Sequence, residues 1–308
     1  MCRLSIIVPF VSPSRLFDDT LASTLRYRPP GTEIVVVHNG SYEDPHELDN
    51  EVEFVTASYC DKSNPLADLL DAAVAKIAGE IVVWIRPGVE LDEGWEDSVV
   101  LAFADPAVAS VTPIIVDSKR PSEILSLGVA TQRNGNRELH RALKKVSRRV
   151  LAKAKPIGPS SWLAAWRTET LEALLPLADG VSDVYLDAEI GLSLQHIGCQ
   201  THVSESFCGL VDDDNLILDE RSVAHGNSSQ RGYEKFLAAD NRPGLGRNIF
   251  NDLISAPFSP WRIVNAIQRF GANQYHLHDE EYMARLDNVR RSGELAAQEM
   301  RNSIRRAA

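Results

Sequence analysis

Two apolar runs near the start of the sequence end in residues suited to meeting a ligand. Leu4-Ser-Ile-Ile-Val-Pro-Phe10 stops at Pro9-Phe10, and Glu33-Ile-Val-Val-Val-His38 stops at His38-Asn39-Gly40-Ser41. A third run, Glu80-Ile-Val-Val-Trp-Ile85, leads into Arg86-Pro87-Gly88. Further along, Asp187 and Glu189 open a predicted helix over 187–197 that Gly198 closes. On spacing alone Asp187 reads as an acid favoured by the positive end of that helix. His38 and His225 read, by themselves, as loop histidines satisfied by backbone, and Asp212-Asp-Asp214 as a solvated turn. Cys2, Cys60, Cys199 and Cys208 are widely spaced with no CxxC pair, which reads as free thiols in a reducing compartment, with no disulfide framework or zinc site.

The elements that would position these residues follow from hydrophobic periodicity. The first two runs are apolar on both faces, as strands of a covered parallel sheet must be. Between them Ser14 to Tyr27 places Leu16, Phe17, Leu21 and Leu25 at helical spacing. Strand, helix and strand form a βαβ unit, whose ligands sit at the carboxyl ends of the strands. Strands are expected at 52–56, 80–85 and 108–113, and helices from Asn64-Pro65 to Gly79 and over 92–104. The order is β-α-β-β-α-β-α-β, an α/β domain with a mainly parallel sheet flanked by helices. A returning strand is expected within 158–166, a helix over 167–175 capped by Thr168, and a short strand at 201–204. The segments after Tyr233 read as helices broken at Pro243-Gly244, Pro257 and Pro260. The division expected is a ligand-binding domain over 1–230 and a helical C-terminal extension over 231–308. The charged final helix, Asp279 to Arg306, is a candidate for pairing two chains as a homodimer.

At 308 residues, 44% hydrophobic and 24% charged, the chain has the composition of a globular protein with one substantial core. A formal charge of −11 argues against nucleic acid as a partner. The short first apolar run, and the lack of any run long enough to span a bilayer, lead us to expect a cytoplasmic protein. One region departs from the acidic balance. Arg133, Arg137, Arg141, Lys144, Lys145, Arg148, Arg149, Lys153 and Lys155 stand against Glu138, with Leu139, Leu143, Val146 and Val150 at helical spacing. This predicts a basic amphipathic helix over 133–155. Its basic face is either simply solvated or a contact for phosphates, an anionic acceptor or membrane headgroups.

Taken in order, four stretches resemble one family. They are the opening strand ending in Val-Pro with Glu-Ile-Val-Val-Val-His-Asn-Gly-Ser41, then Ile85-Arg-Pro-Gly-Val-Glu-Leu91, then Leu186-Asp-Ala-Glu-Ile190 with Gly198, and His225-Gly-Asn-Ser228. The set resembles the inverting family 2 glycosyltransferases of the GT-A fold over about three-quarters of the chain. The resemblance implies a Rossmann-like domain binding a nucleotide-sugar donor, with Pro9, Phe10, His38 and Asn39 bordering the base and ribose. It implies Asp187 as the general base that deprotonates an acceptor hydroxyl, Glu189 as its positioning acid and His225 near the diphosphate. Trp162 would lie on the acceptor side, where a glycan or lipid-linked acceptor would enter. The family's metal-binding Asp-x-Asp falls on Arg86-Pro87-Gly88, and its base-contacting acid on His38. A divalent cation (Mn2+ or Mg2+) would then need Glu90, Asp92 or His225, or Arg86 would stand in for it, or the site would be catalytically inactive and bind only nucleotide or carbohydrate.

Overall fold

The computed structural model describes residues 4–57, 65–140, 148–175, 181–215, 226–237, 246, 248–250, 254, 260–269 and 280–291. A nine-stranded sheet runs in the order β3-β2-β1-β4-β10-β6-β11-β5, with β7 paired to β6. Its strands are β1 (Leu4–Phe10), β2 (Glu33–His38), β3 (Glu53–Thr56), β4 (Ile81–Ile85), β5 (Val89–Leu91), β6 (Val108–Asp117), β7 (Arg120–Ser126), β10 (Leu163–Arg167) and β11 (Gln200–Val211). β10, β5 and β7 run against the other strands, so the sheet is mainly parallel, as expected.

Both faces of the central strands are buried, which is why their sequences do not alternate. Ile6, Val8, Ile34, Val36, Ile81 and Val83 feed one core with Phe17 and Leu21 of α1 (Arg15–Arg26). Their neighbours Ile7, Val35, Val37, Val82 and Trp84 feed another with Leu69, Leu70 and Ala73 of α2 (Pro65–Val74). The period of two sends consecutive apolar residues into opposite layers. Helices α3 (Glu96–Ala102) and α5 (Thr168–Leu174) cover the sheet further along. Thr168 does not cap α5; its hydroxyl donates to the Gly79 carbonyl at 2.7 Å, tying the helix start to the strand before it.

Helix α6 (Leu186–His196) is buried on all sides over residues 186–194: Leu186, Ile190 and Leu194 pack into one core, Ala188 and Leu192 into the other. A helix buried all round has no solvent face for its acids, so Asp187 and Glu189 must find partners inside the protein. The close approach at Gly158 and Gly191 seats this helix against the segment before β10; a Cβ on Gly191 would lie 3.0 Å from the Ile157 carbonyl oxygen.

The basic helix expected over 133–155 is not what forms. Val129–Thr131 (β8) and Arg137–Leu139 (β9) make an antiparallel hairpin, and the only helix described there is α4, Arg148–Leu151. Residues 141–147 lie outside the described residues. The pattern misleads because Arg137 and Leu139 alternate as strand residues, both buried, with Glu138 outward. After β11, α7 (Gly226–Gly232) continues into a π-helical turn, Tyr233–Leu237, so helical backbone runs across residues 230 and 231. Helix α8 (Pro260–Arg269) and a helical stretch over residues 280–291 complete the described chain. No helix among the described residues is long and apolar enough to cross a membrane.

Candidate active site

At the carboxyl ends of β1 and β4 lies a cleft of about 180 Å3 lined by Pro9, Val11, Ser12, Ser14, Leu66, Arg86 and Pro87. Two local structures build it. Arg86-Pro87-Gly88-Val89 is a turn closed by the Val89 N–H on the Arg86 carbonyl at 3.1 Å, with Gly88 at φ +96. Proline second and a left-handed glycine third are what a type II turn requires. The Gly88 N–H donates to the Leu16 carbonyl and, at 2.9 Å, to the Thr20 hydroxyl, fixing the turn to α1. On the other side Ser14 caps α1, accepting from the Phe17 N–H at 3.3 Å. The positive end of a twelve-residue helix therefore borders the same cleft as Arg86.

Arg86 is aimed by Trp162. Its guanidinium carbon lies 4.6 Å above the indole ring, and its backbone N–H donates to the Trp162 carbonyl at 3.0 Å. Stacking occupies the face of the guanidinium and fixes its plane, and arginine grips phosphate oxygens through its planar edge. Trp162 is itself 5% exposed, so it acts as the platform beneath Arg86.

The other strand-tip residues divide. Pro9 lines the cleft, but Phe10 is buried edge-on between Phe17 and Tyr42, at centroid distances of 4.9 and 4.8 Å. His38 is buried; its Nδ1 accepts from the Gly40 N–H at 3.1 Å, and its Nε2 lies 3.4 Å from the Thr56 hydroxyl. Asn39 is exposed and closes its own turn by accepting from the Ser41 hydroxyl at 2.6 Å. Burial holds the His38 imidazole below its ordinary value. The unfolded chain therefore takes up a proton there that the folded chain resists. The stability owed to neutral His38 is fully present above an ordinary histidine value of about 6.5 and is lost as pH falls below it. Urea denaturation between about pH 7.5 and pH 5.5 should show this loss, and His38→Gln should flatten it.

Asp187 is held apart from the cleft. Arg137 donates to it twice, Nε to Oδ1 and Nη2 to Oδ2, both at 2.8 Å, and the Ser161 N–H donates to Oδ2 at 2.8 Å. The side chains of this pair are 4% and 0% exposed. Glu189, two residues on, pairs with Lys235 at 2.5 Å, and that ammonium also sits 4.3 Å over the Tyr282 ring. Lys235 reaches it from the π-helical turn. Residues 161 and 162 thus link the two halves: the Ser161 amide holds Asp187, and the adjacent Trp162 holds Arg86.

The hairpin that carries Arg137 is docked by its tip. The Tyr185 hydroxyl donates to the Gly135 carbonyl at 3.0 Å, and buried Arg269 donates to Asn136 Oδ1 at 2.7 Å and Gln230 Oε1 at 2.9 Å. Gly135 has φ +83, and a Cβ there would meet the Ser229 carbonyl oxygen at 2.5 Å. Gly135→Ala should therefore cost about 2–3 kcal/mol, read by chemical denaturation.

His225 lies outside the described residues. Glu90 is an exposed residue on the sheet-edge strand β5, and Asp92 follows it, also exposed. No group of three His, Cys, Asp or Glu able to hold a metal ion occurs among the described residues. Cys199 and Cys208 are free thiols; burial, then Asp92, pushes Cys208 up to about 11.

Reading the sequence alone missed Val11, Ser12, Ser14 and Leu66 as cleft walls. The signal for Ser14 was present, a serine ahead of the helical run Leu16-Phe17. It also missed Arg137 and Lys235 as partners of the two acids: Arg137 lay within a run of basic residues, and Lys235 stood alone in Tyr233-Glu-Lys-Phe-Leu237 with nothing to link it to Glu189.

No family model and no curated protein matches this sequence. Solved structures do. GalNAc-T7, solved with UDP, GalNAc and Mn2+, superposes with a TM-score of 0.55 and 13% identity, over 92% of this chain and 56% of that one. The mannosyltransferase PcManGT from Pyrobaculum calidifontis, in complex with GDP-Man and Mn2+, gives 0.48 and 16%, over 96% of this chain and 81% of that one. S. aureus TarS gives 0.46 and 14%, over 83% of this chain and 42% of that one. This chain thus spans little more than half of GalNAc-T7. Its fold is of the GT-A glycosyltransferase type.

Proposed function

We propose that this chain is a nucleotide-sugar-dependent glycosyltransferase. In this reading a nucleoside diphosphate sugar lies across the cleft at the tips of β1 and β4. The observation that carries it is Arg86, stacked on Trp162 at 4.6 Å and lining a cleft that the N-cap of α1 also lines. Transfer expels a nucleoside diphosphate, so charge builds on its phosphate oxygens. Arg86 and the first turn of α1 would stabilise that charge.

GalNAc-T7 and PcManGT were solved with Mn2+. The residues at the corresponding turn here do not suit such an ion: Arg86-Pro87-Gly88 offers a cation and no carboxylate. We assign the neutralising role to Arg86, and expect a chelator to leave donor binding unchanged.

For an inverting transfer to an acceptor hydroxyl, Asp187 is the candidate base and Glu189 its neighbour. Three of the roughly four lone-pair directions of the Asp187 carboxylate are taken by Arg137 and Ser161. Proton abstraction would require one of these to yield to the acceptor. The same burial favours a second reading, in which the domain binds a nucleotide sugar but Asp187 is structural. A panel of nucleotide sugars, assayed for transfer and hydrolysis with and without Mn2+, tests the proposal. The Asp187→Asn protein, first checked for folding, separates the readings: lost turnover with retained donor binding supports the base. An inert wild type that still binds donor supports the binding protein.

A further inference from the structure

The helical stretch over 280–291 docks along α6, the helix that bears both acids. Positions 189, 193 and 196 of α6 lie on one stripe, since residues three and four apart share a helix face. Each meets a group of this stretch or one that the stretch holds. Ser193 meets Tyr282 hydroxyl to hydroxyl, and His196 Nε2 lies 3.3 Å from Asp287 Oδ1. Glu189 pairs with Lys235, whose ammonium covers the Tyr282 ring. Leu286, fully buried, enters the core shared by Ile190 and Leu194.

Tyr282 is itself fixed, at its hydroxyl and at its ring. The hydrogen of the Ser193 hydroxyl goes to the Glu189 carbonyl at 2.7 Å, so the Tyr282 hydroxyl donates to Ser193 Oγ. Phe236, next to Lys235 on the π-helical turn, packs edge-on to the Tyr282 ring at a centroid distance of 6.2 Å. Lys235 carries its charge on a flexible stem, so its ion pair alone does not decide where the ammonium rests. The face of the Tyr282 ring, 4.3 Å from Nζ, supplies a second anchor. The side chains of Lys235 and Glu189 are 3% and 2% exposed, and a cation over an aromatic face gains most where water is excluded.

We propose that Tyr282 is a positioning residue for the acid half of the site: it sets Lys235, and Lys235 sets the Glu189 carboxylate. The stretch over 280–291 is then a working part of the site. This rests on the reading of Asp187 and Glu189 as the acids of a transferase, where a carboxylate must be held in one orientation before the sugar moves. Tyr282, Lys235 and Glu189 are not among the residues lining the cleft beside Arg86, so donor binding is a separate readout.

The test acetylates the native full chain briefly with acetic anhydride and follows each lysine by peptide mass, alongside turnover and donor binding. In the wild type Lys235 should react far more slowly than the exposed Lys76. Tyr282→Met keeps apolar bulk but removes the ring, and should raise the Lys235 rate relative to Lys76 by about tenfold. Tyr282→Phe keeps the ring and should raise it by less than about threefold. With whichever nucleotide sugar supports transfer, kcat of Tyr282→Met should fall at least about tenfold while the donor Kd stays within about twofold. Tyr282→Phe should retain most of the turnover. Circular dichroism checks the folding of each variant. Should Tyr282→Met not fold, pentafluorophenylalanine placed at position 282 carries the test, because it keeps the ring's shape and abolishes its negative face. Lys235 should then react about fivefold faster than in Tyr282→Phe. Lys235 protected equally with and without the aromatic face overturns the proposal, and so does unchanged turnover in Tyr282→Met. A wild type that transfers no sugar overturns the transferase reading instead, and the Lys235 rates then decide the Tyr282 assignment alone.

Discussion

Arg137→Ala should cost the fold about 3–5 kcal/mol, the loss expected when one partner of a fully buried ion pair is removed. The carboxylate left behind, Asp187, is 0% exposed and would keep only the Ser161 amide. For a chain of this size the melting temperature should fall by roughly 10 °C. Asp187→Leu should be similarly harmful, because it strands the guanidinium. The double variant Arg137→Met/Asp187→Leu should lose much less than the sum of the two, since it removes both charges and leaves apolar groups of similar volume. Thermal melts of the four proteins check this. Additive losses would show that the pair is not coupled as its geometry requires.

Arg86→Ala should weaken nucleoside diphosphate binding by about 2–3 kcal/mol, roughly 30- to 150-fold, the range for hydrogen bonds to a charged ligand. Arg86→Lys keeps the charge but loses the fork and much of the stacking on Trp162. It should recover only part of the affinity. Stability should hardly change in either variant, because the turn around residue 86 is fixed by backbone bonds and by Thr20. Binding that falls while the melt stays put is the signature of a ligand group.

Much of this architecture was legible in the sequence because it rests on local rules. Buried parallel strands announce themselves as unbroken apolar runs, and β1, β2 and β4 fall where such runs stand. Gly198, at φ +85, marks the end of α6 as a C-terminal glycine should. Arg86 stood out because it follows a strand that ends in a ligand-facing turn. What failed was non-local. The stretch from Arg133 to Lys155 satisfied helical spacing, yet its first part forms β9, paired to the preceding β8, with Arg137 held inward by an acid fifty residues away. Similarly, β5, three residues long, and β7, mostly exposed along its first half, depend for their pairing on β11 and β6 and leave little periodic trace. Asp187 could be marked as chemically notable from its place in an ordered set of motifs. That its carboxylate would face Arg137 and Ser161 depends on a tertiary approach that no spacing encodes.

The same contrast explains why the two halves of the candidate site behave differently. The cleft beside Arg86 is built mainly from strand tips, a turn and a helix start, each adjacent in sequence to a strand of the sheet. The acid half depends on α6, the β8–β9 hairpin and the π-helical turn meeting at once. A change at Gly135 and a change at Arg137 should therefore disturb the same region, and their stability losses should not add.

The most direct measurement is a calorimetric titration of nucleoside diphosphates into wild-type and Arg86→Ala protein in the presence of a chelator. Saturable binding by the wild type without added metal, weakened at least about 30-fold in the variant, is the predicted result. Equal affinity in the two proteins, or binding that appears only when Mn2+ is restored, would contradict the assignment of the phosphate-holding charge to Arg86.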